Sequence, residues 1–201
     1  MKTRNYISLI IALVVMYACS PKKAQEETTT ETTAVTYEVG AAKVKWTAFK
    51  LTERIGVSGT FDDLSVTAGG EGSVDSLLVN GTFSINTSSV NSNEATRDPK
   101  IKASFFEPFN TPQITGKILS ATGGRGTVEL MMNDTTSAVP FTYISNDSTL
   151  VLTTSIDVTN WNGAAAIDSL NSVCELLHKG SDGVSKLWPD VVVQVTIPAK
   201  K

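Results

Sequence analysis

Lys43-Val44-Lys45-Trp46-Thr47-Ala48-Phe49-Lys50 alternates charged or hydroxyl side chains with Val44, Trp46 and Ala48. A period of two is the mark of a strand with one wet face and one buried face. The same period recurs in Val57, Gly59 and Phe61, where Asp62-Asp63 then signals a turn or bulge. It extends over Leu77, Val79, Gly81, Phe83 and Ile85, with Ser76, Asn80, Thr82 and Ser84 on the opposite face. Further strands are predicted over 113–119, 127–132, 139–144, 149–158 and 190–198. Turn-forming residues separate them: Gly69-Gly70-Glu71-Gly72, Gly123-Gly124-Arg125-Gly126, Asn133-Asp134 and Asn146-Asp147. Eight or nine short strands with little between them argue an all-β antiparallel barrel or sandwich. One stretch breaks the pattern. Ile167, Leu170, Cys174 and Leu177 fall at helical spacing, predicting one helix over 164–177 before the last strand, with His178-Lys179-Gly180 as its stop. Residues 91–112 form a second irregular region with a turn or short helix.

The chain has 201 residues, 41% of them apolar and 18% charged, with 2 Cys and 1 His. The apolar fraction is too high for a disordered chain. The few Cys and His exclude a disulfide-dense scaffold and a multi-histidine zinc site. A net charge of −3 offers no electrostatic footprint for nucleic acid. The N-terminus is different in kind. Lys2 and Arg4 precede an apolar run from Ile7 to Ala18, which is a signal-peptide pattern and too short to span a bilayer. The run ends at Ala18-Cys19-Ser20, which resembles the lipobox of bacterial lipoproteins. That resemblance implies that residues 1–18 are removed, that Cys19 is the lipid attachment site, and that the acyl anchor holds the protein at the cell envelope, at the outer membrane or facing the periplasm. An ordinary cleaved signal beside an incidental cysteine is the alternative. Without residues 1–18 the chain keeps 15 basic and 20 acidic side chains, a net charge of −5. Residues 20–36 are mostly Thr, Glu, Lys and Gln, too polar to offset their ordering entropy, and read as a tether. The folded domain is expected over 37–201.

Little in the domain points to chemistry. His178, at the predicted helix end, is expected to meet the helix dipole rather than to catalyse. Cys174 lies on the apolar helix face and reads as a buried, inert thiol. No phosphate loop, nucleophile elbow or EF-hand spacing occurs. Asp62, Asp63, Asp75 and Asp182 read as turn formers. The chain is therefore expected to be a binding protein and not an enzyme, with no cofactor and no metal. Trp46, Phe61, Phe83, Met131, Met132, Phe141, Tyr143 and Trp161 are available to line an interior. Alternation selects Trp46, Phe61, Phe83, Ile85, Leu130, Met132, Phe141, Leu152 and Ile156 as the residues of a ligand pocket. An eight-stranded barrel can fill with side chains or hold one small ligand, and the residues alone leave both open.

The order of segments resembles the YceI-like family, a lipocalin-like group of bacterial envelope proteins. The resemblance is carried by Tyr37-Glu38-Val39, by Lys45–Lys50 and Gly56–Phe61 as a first hairpin, and by Gly81–Ile85 with Ser88-Ser89-Val90. Arg97-Asp98-Pro99-Lys100-Ile101-Lys102 followed by Phe105-Phe106, then Gly126–Leu130 and Val139-Pro140-Phe141, continue it to about residue 198. The chain departs at Asp157–Asn162, where an Arg/Asp-Phe-Gly phrase is usual. The resemblance implies an eight-stranded lipocalin-like barrel, in which the helix over 164–177, inserted before the last strand, looks specialised. It also implies an elongated apolar cavity for a polyisoprenoid or other fatty, amphiphilic lipid. A homodimer stays open. The rival reading is a packed barrel that binds another envelope protein through Trp161, Trp188 or the helix.

Overall fold

The computed structural model describes residues 35–200; Cys19, the leader and most of the proposed tether lie outside the described residues. The alternation around Trp46 is a strand, β1 (Lys43–Lys50), buried at Val44 and Trp46 and exposed at Lys43 and Lys45. Nine more strands follow: β2 (Ile55–Phe61), β3 (Leu64–Thr67), β4 (Thr82–Asn86), β5 (Val90–Asn91), β6 (Gln113–Thr122), β7 (Arg125–Met132), β8 (Thr135–Ser145), β9 (Thr149–Asp157) and β10 (Leu187–Pro198). All pairings are antiparallel, in the order β3-β4-β6-β7-β8-β9-β10-β1-β2-β5.

Ten strands replace the eight expected, because two runs are bent. Phe61 pairs with Val90 and Leu64 pairs with Ile85. Between them the Asp62 N–H donates to the Ser89 carbonyl (3.1 Å) and the Asn86 N–H donates to the Asp63 carbonyl (3.1 Å). β2 and β3 are thus one strand kinked at Asp62-Asp63, and β4 and β5 are one strand interrupted by the 3-10 turn Thr87–Ser89. The same contacts carry hydrogen bonding across the seam, so the sheet's two ends meet and the ring is continuous. The tight turns match their residues. Asn133 and Asp134 both take positive φ (47° and 52°) in the two-residue β7–β8 hairpin, the left-handed pair such a turn needs.

Two helical regions differ from expectation. The alternation from Leu77 is not strand: Val74–Leu78 is a short helix, α1, capped by Ser73, whose hydroxyl accepts from the Ser76 N–H (3.2 Å). Val74, Leu77 and Leu78, at helical spacing, all reach the core, and the strand starts only at Thr82 after a left-handed Asn80 (φ 66°). The predicted helix over 164–177 is two pieces, α3 (Ala164–Val173) and α4 (Glu175–His178); α2 in chain order is Asp98–Ile101, continued by a π-helical turn Lys102–Phe106. The Ser172 hydroxyl donates to the Asp168 carbonyl (2.8 Å), competition that weakens a helix at that turn. The break at Cys174 leaves Leu177 58% exposed instead of on the apolar face. α3 packs on β10 and on the π-helical turn, closing one end of the barrel; the 3-10 turn Val39–Ala41 and α1 lie at the other.

Candidate ligand-binding cavity

The inward face of each strand is apolar but does not fill the barrel. A cavity of about 160 Å³ runs along the axis, and all nine residues assigned inward by alternation stand in its wall. Trp46 comes from β1, Phe61 from β2, Phe83 and Ile85 from β4, Leu130 and Met132 from β7, Phe141 from β8, and Leu152 and Ile156 from β9. A second apolar chamber of about 140 Å³ continues toward α3, walled by Phe105, Phe109, Ile167 and Trp188 among others. The two share Trp46, Phe61, Ile114, Met132, Ile156 and Val193, so they adjoin end to end. Along β10 the wall runs from Leu187 to Ile197, about 33 Å of strand and about 25 Å along the axis at the usual barrel tilt.

Register explains why rings line the wall instead of blocking it. Trp46 pairs with Gly59, Phe83 with Gly116, and Phe141 with Gly126. A Cβ at any of these three glycines would collide with the ring opposite. Each ring therefore lies flat over a glycine of the neighbouring strand, the cross-strand device known as aromatic rescue. The Trp46 indole is further held by donating Nε1–H to the Thr60 carbonyl (3.1 Å). These glycines are as much part of the site as the aromatics. Their type alone does not mark them; only the pairing does.

Other aromatics are placed elsewhere. Met131 is 46% exposed on the outer face. Tyr143 is buried beside the barrel wall and donates its hydroxyl to Asp75, whose position on α1 makes it a structural acceptor and not only a turn former; burial pushes the phenol's pKa up and the Asp75 hydrogen bond adds to it. Trp161 is fully buried and donates Nε1–H to the Leu130 carbonyl (3.1 Å), so it offers no surface for a partner. Trp188 is half-buried in the inner chamber, donating to the Leu51 carbonyl (2.8 Å). The interior is hollow where the rival reading needs it packed. Of the three features that reading invoked, only the helix keeps exposed apolar side chains, at Val173, Leu176 and Leu177.

His178 does not act as a cation on a helix dipole. It is buried, its Nδ1 lies 3.0 Å from the Asn171 side-chain oxygen, and burial with Lys50 nearby pushes its pKa down to about 4. Cys174 is a buried free thiol. Among the described residues no three His, Cys, Asp or Glu side chains converge as a metal site would need.

The family described as YceI-like domain matches residues 27–199, beginning within the Thr-rich segment ahead of Tyr37. No curated protein sequence matches the chain. Among solved structures, the fold is shared with a polyisoprenoid binding domain from Saccharophagus degradans implicated in plant cell wall breakdown, at 15% identity and a TM-score of 0.58, covering 83% of this chain and 98% of that one. Burkholderia cenocepacia BcnA is similar at 15% identity and a TM-score of 0.55, covering 82% and 99%. The Campylobacter jejuni YceI protein is similar at 15% identity and a TM-score of 0.51, covering 72% and 85%. With a family match across most of its length and a barrel of the same architecture, the chain belongs to the YceI-like domain family.

Proposed function

We propose that this protein binds the apolar tail of an isoprenoid-like or similar amphiphilic lipid inside its barrel, while an acylated Cys19 holds it at the bacterial envelope. The observation that carries the binding reading is the pair of adjoining chambers. Each is comparable with the roughly 150 Å³ apolar cavity that stays dry and takes up benzene. Together they suit a narrow chain better than a compact ligand. Each methylene moved from water into such a wall contributes about 0.8 kcal/mol, so ten contribute about 8 kcal/mol before ordering costs. The S. degradans domain, described as polyisoprenoid binding, supports the same class of ligand. The walls of both chambers carry no carboxylate and no histidine, which favours recognition by shape over catalysis.

Mass spectrometry of solvent extracts from the purified protein tests this directly. A long-chain lipid in near-stoichiometric amount is the expected result. A lipid-free protein that also fails to bind farnesol saturably overturns it. Anchoring is tested separately, by metabolic labelling with an alkyne fatty acid. Label on the wild-type chain and none on Cys19→Ser is expected; label on both, or on neither, removes the anchor.

A further inference from the structure

The inward face of β1 does not end in carbon. Val44, Trp46 and Ala48 point into the barrel, and the next position on that face is Lys50. It reaches a third chamber, of about 260 Å³, at the α3 end of the barrel. This chamber shares Trp46, Ala48, Ile101, Leu170 and Leu187 with the inner apolar one, so it forms the polar end of the same channel.

Three cations from two segments converge there: Lys50 on β1, and Arg97 and Lys100, respectively the N-cap of α2 and a residue within it. Lys50 donates one N–H to the Leu177 carbonyl (2.9 Å), leaving two donors to spare. Among the described residues, none of the three forms an ion pair. The chamber's one acid, Glu94, is engaged by the N–H and hydroxyl of Thr96 (3.2 and 2.9 Å). His178, from α4, is neutral near pH 7 because burial and Lys50 lower its pKa to about 4. The lining thus carries three positive charges against one negative. Grouping like charges beside an apolar channel raises the energy of the empty site, and an anion placed among them relieves it.

We infer that the lipid bound by this barrel has an anionic oxygen head, a phosphate or a carboxylate, which rests among Lys50, Arg97 and Lys100 while its tail occupies the two apolar chambers. This rests on the tail-binding reading above. It adds a charge selection that the apolar walls cannot make.

Binding of paired probes with identical tails separates the two claims. Farnesyl phosphate is compared with farnesol, and palmitate with hexadecanol, at low and high salt. Wild type is expected to bind the anion of at least one pair about tenfold or more tightly than its alcohol, since hydrogen bonds to charged groups are the stronger ones. Added salt narrows the difference if the chamber is solvent-accessible. Preference in the first pair alone assigns phosphate; in the second alone, carboxylate. The K50Q/R97Q/K100Q variant is expected to bring anion and alcohol to parity and to leave alcohol affinity within about twofold. K50Q/K100Q, which keeps Arg97, gives a partial loss. Equal binding of anion and alcohol by wild type overturns the head-group inference and leaves tail binding standing. So does a triple variant that keeps the anion preference. Failure of all four probes to bind overturns the tail reading and this one with it.

Discussion

His178 is the only histidine in the chain, so its titration can be followed without ambiguity. Its ordinary pKa of 6.5 falls to about 4 in the fold, chiefly by burial and further by Lys50. Between those values the unfolded chain holds a proton that the folded chain does not. Stability from this group is therefore fully present above about pH 6.5, declines as pH falls toward 4, and changes no further below that. The span corresponds to an effect on the order of 3 kcal/mol. Chemical denaturation at pH 7 and pH 4.5 should show the drop, with His178→Gln flattening this component; an NMR titration placing the imidazole near 6.5 would contradict it. Trp161 makes a second residue-scale case. Its Nε1–H satisfies the Leu130 carbonyl, at the point where β7 also supplies Leu130 to the cavity wall. Trp161→Phe removes that donor and is expected to cost about 1–3 kcal/mol; Trp161→Ala, which also opens a void at a fully buried site, should cost about 3–5 kcal/mol. Urea denaturation of the two variants reads both.

At the scale of strands and helices, the channel is kept open by pairing an aromatic with a glycine on the neighbouring strand. Gly116→Ala would place a methyl where the Phe83 ring lies. The ring must then swing inward or the strands must part. The first outcome narrows the lumen, so farnesol affinity should fall several-fold, and overpacking of this kind costs about 1–3 kcal/mol. Gly116→Ala with Phe83→Leu should recover most of both losses. A single variant that binds as wild type would show that the glycine is not needed for an open channel. These pairs also mark what was legible in the sequence. Period-two alternation is local, so the inward facing of Trp46, Phe83 or Leu152 could be read residue by residue. Register between strands is not local, so nothing in the chain tells that Gly116 lies under Phe83. The helix Val74–Leu78 was hidden for a related reason. Leu77, Val79, Gly81, Phe83 and Ile85 keep strand period, while the competing i, i+3, i+4 signal of Val74, Leu77 and Leu78 covers barely one turn. Ser73 as its cap decides between them. Lys50 was within reach, being the next inward position after Ala48. Arg97 and Lys100 were not, because only the packing of α2 brings them to the end of β1.

For the whole molecule, a hollow barrel sets stability and ligand against each other. The unfilled axis gives up contacts that a packed core would make, and the ring of strands must hold its shape without them. A lipid that binds only the folded state returns part of that loss, by about 2.7 kcal/mol when present at a hundred times its dissociation constant. For a domain of this size each kcal/mol shifts the melting temperature by about 2–4 °C. Stripping the bound lipid should then lower Tm by about 5–10 °C, and adding farnesyl phosphate back should restore it. Leu130→Phe adds volume to the lumen wall, on the strand next to Gly116. If the site is the lumen, this variant keeps or raises the Tm of the stripped protein and loses most of the ligand-dependent gain. A site on the outer surface predicts the opposite: the full gain survives, because Leu130 does not face outward. A thermal shift measured on stripped and reloaded protein, wild type beside Leu130→Phe, therefore decides whether the ligand stabilises the barrel from within.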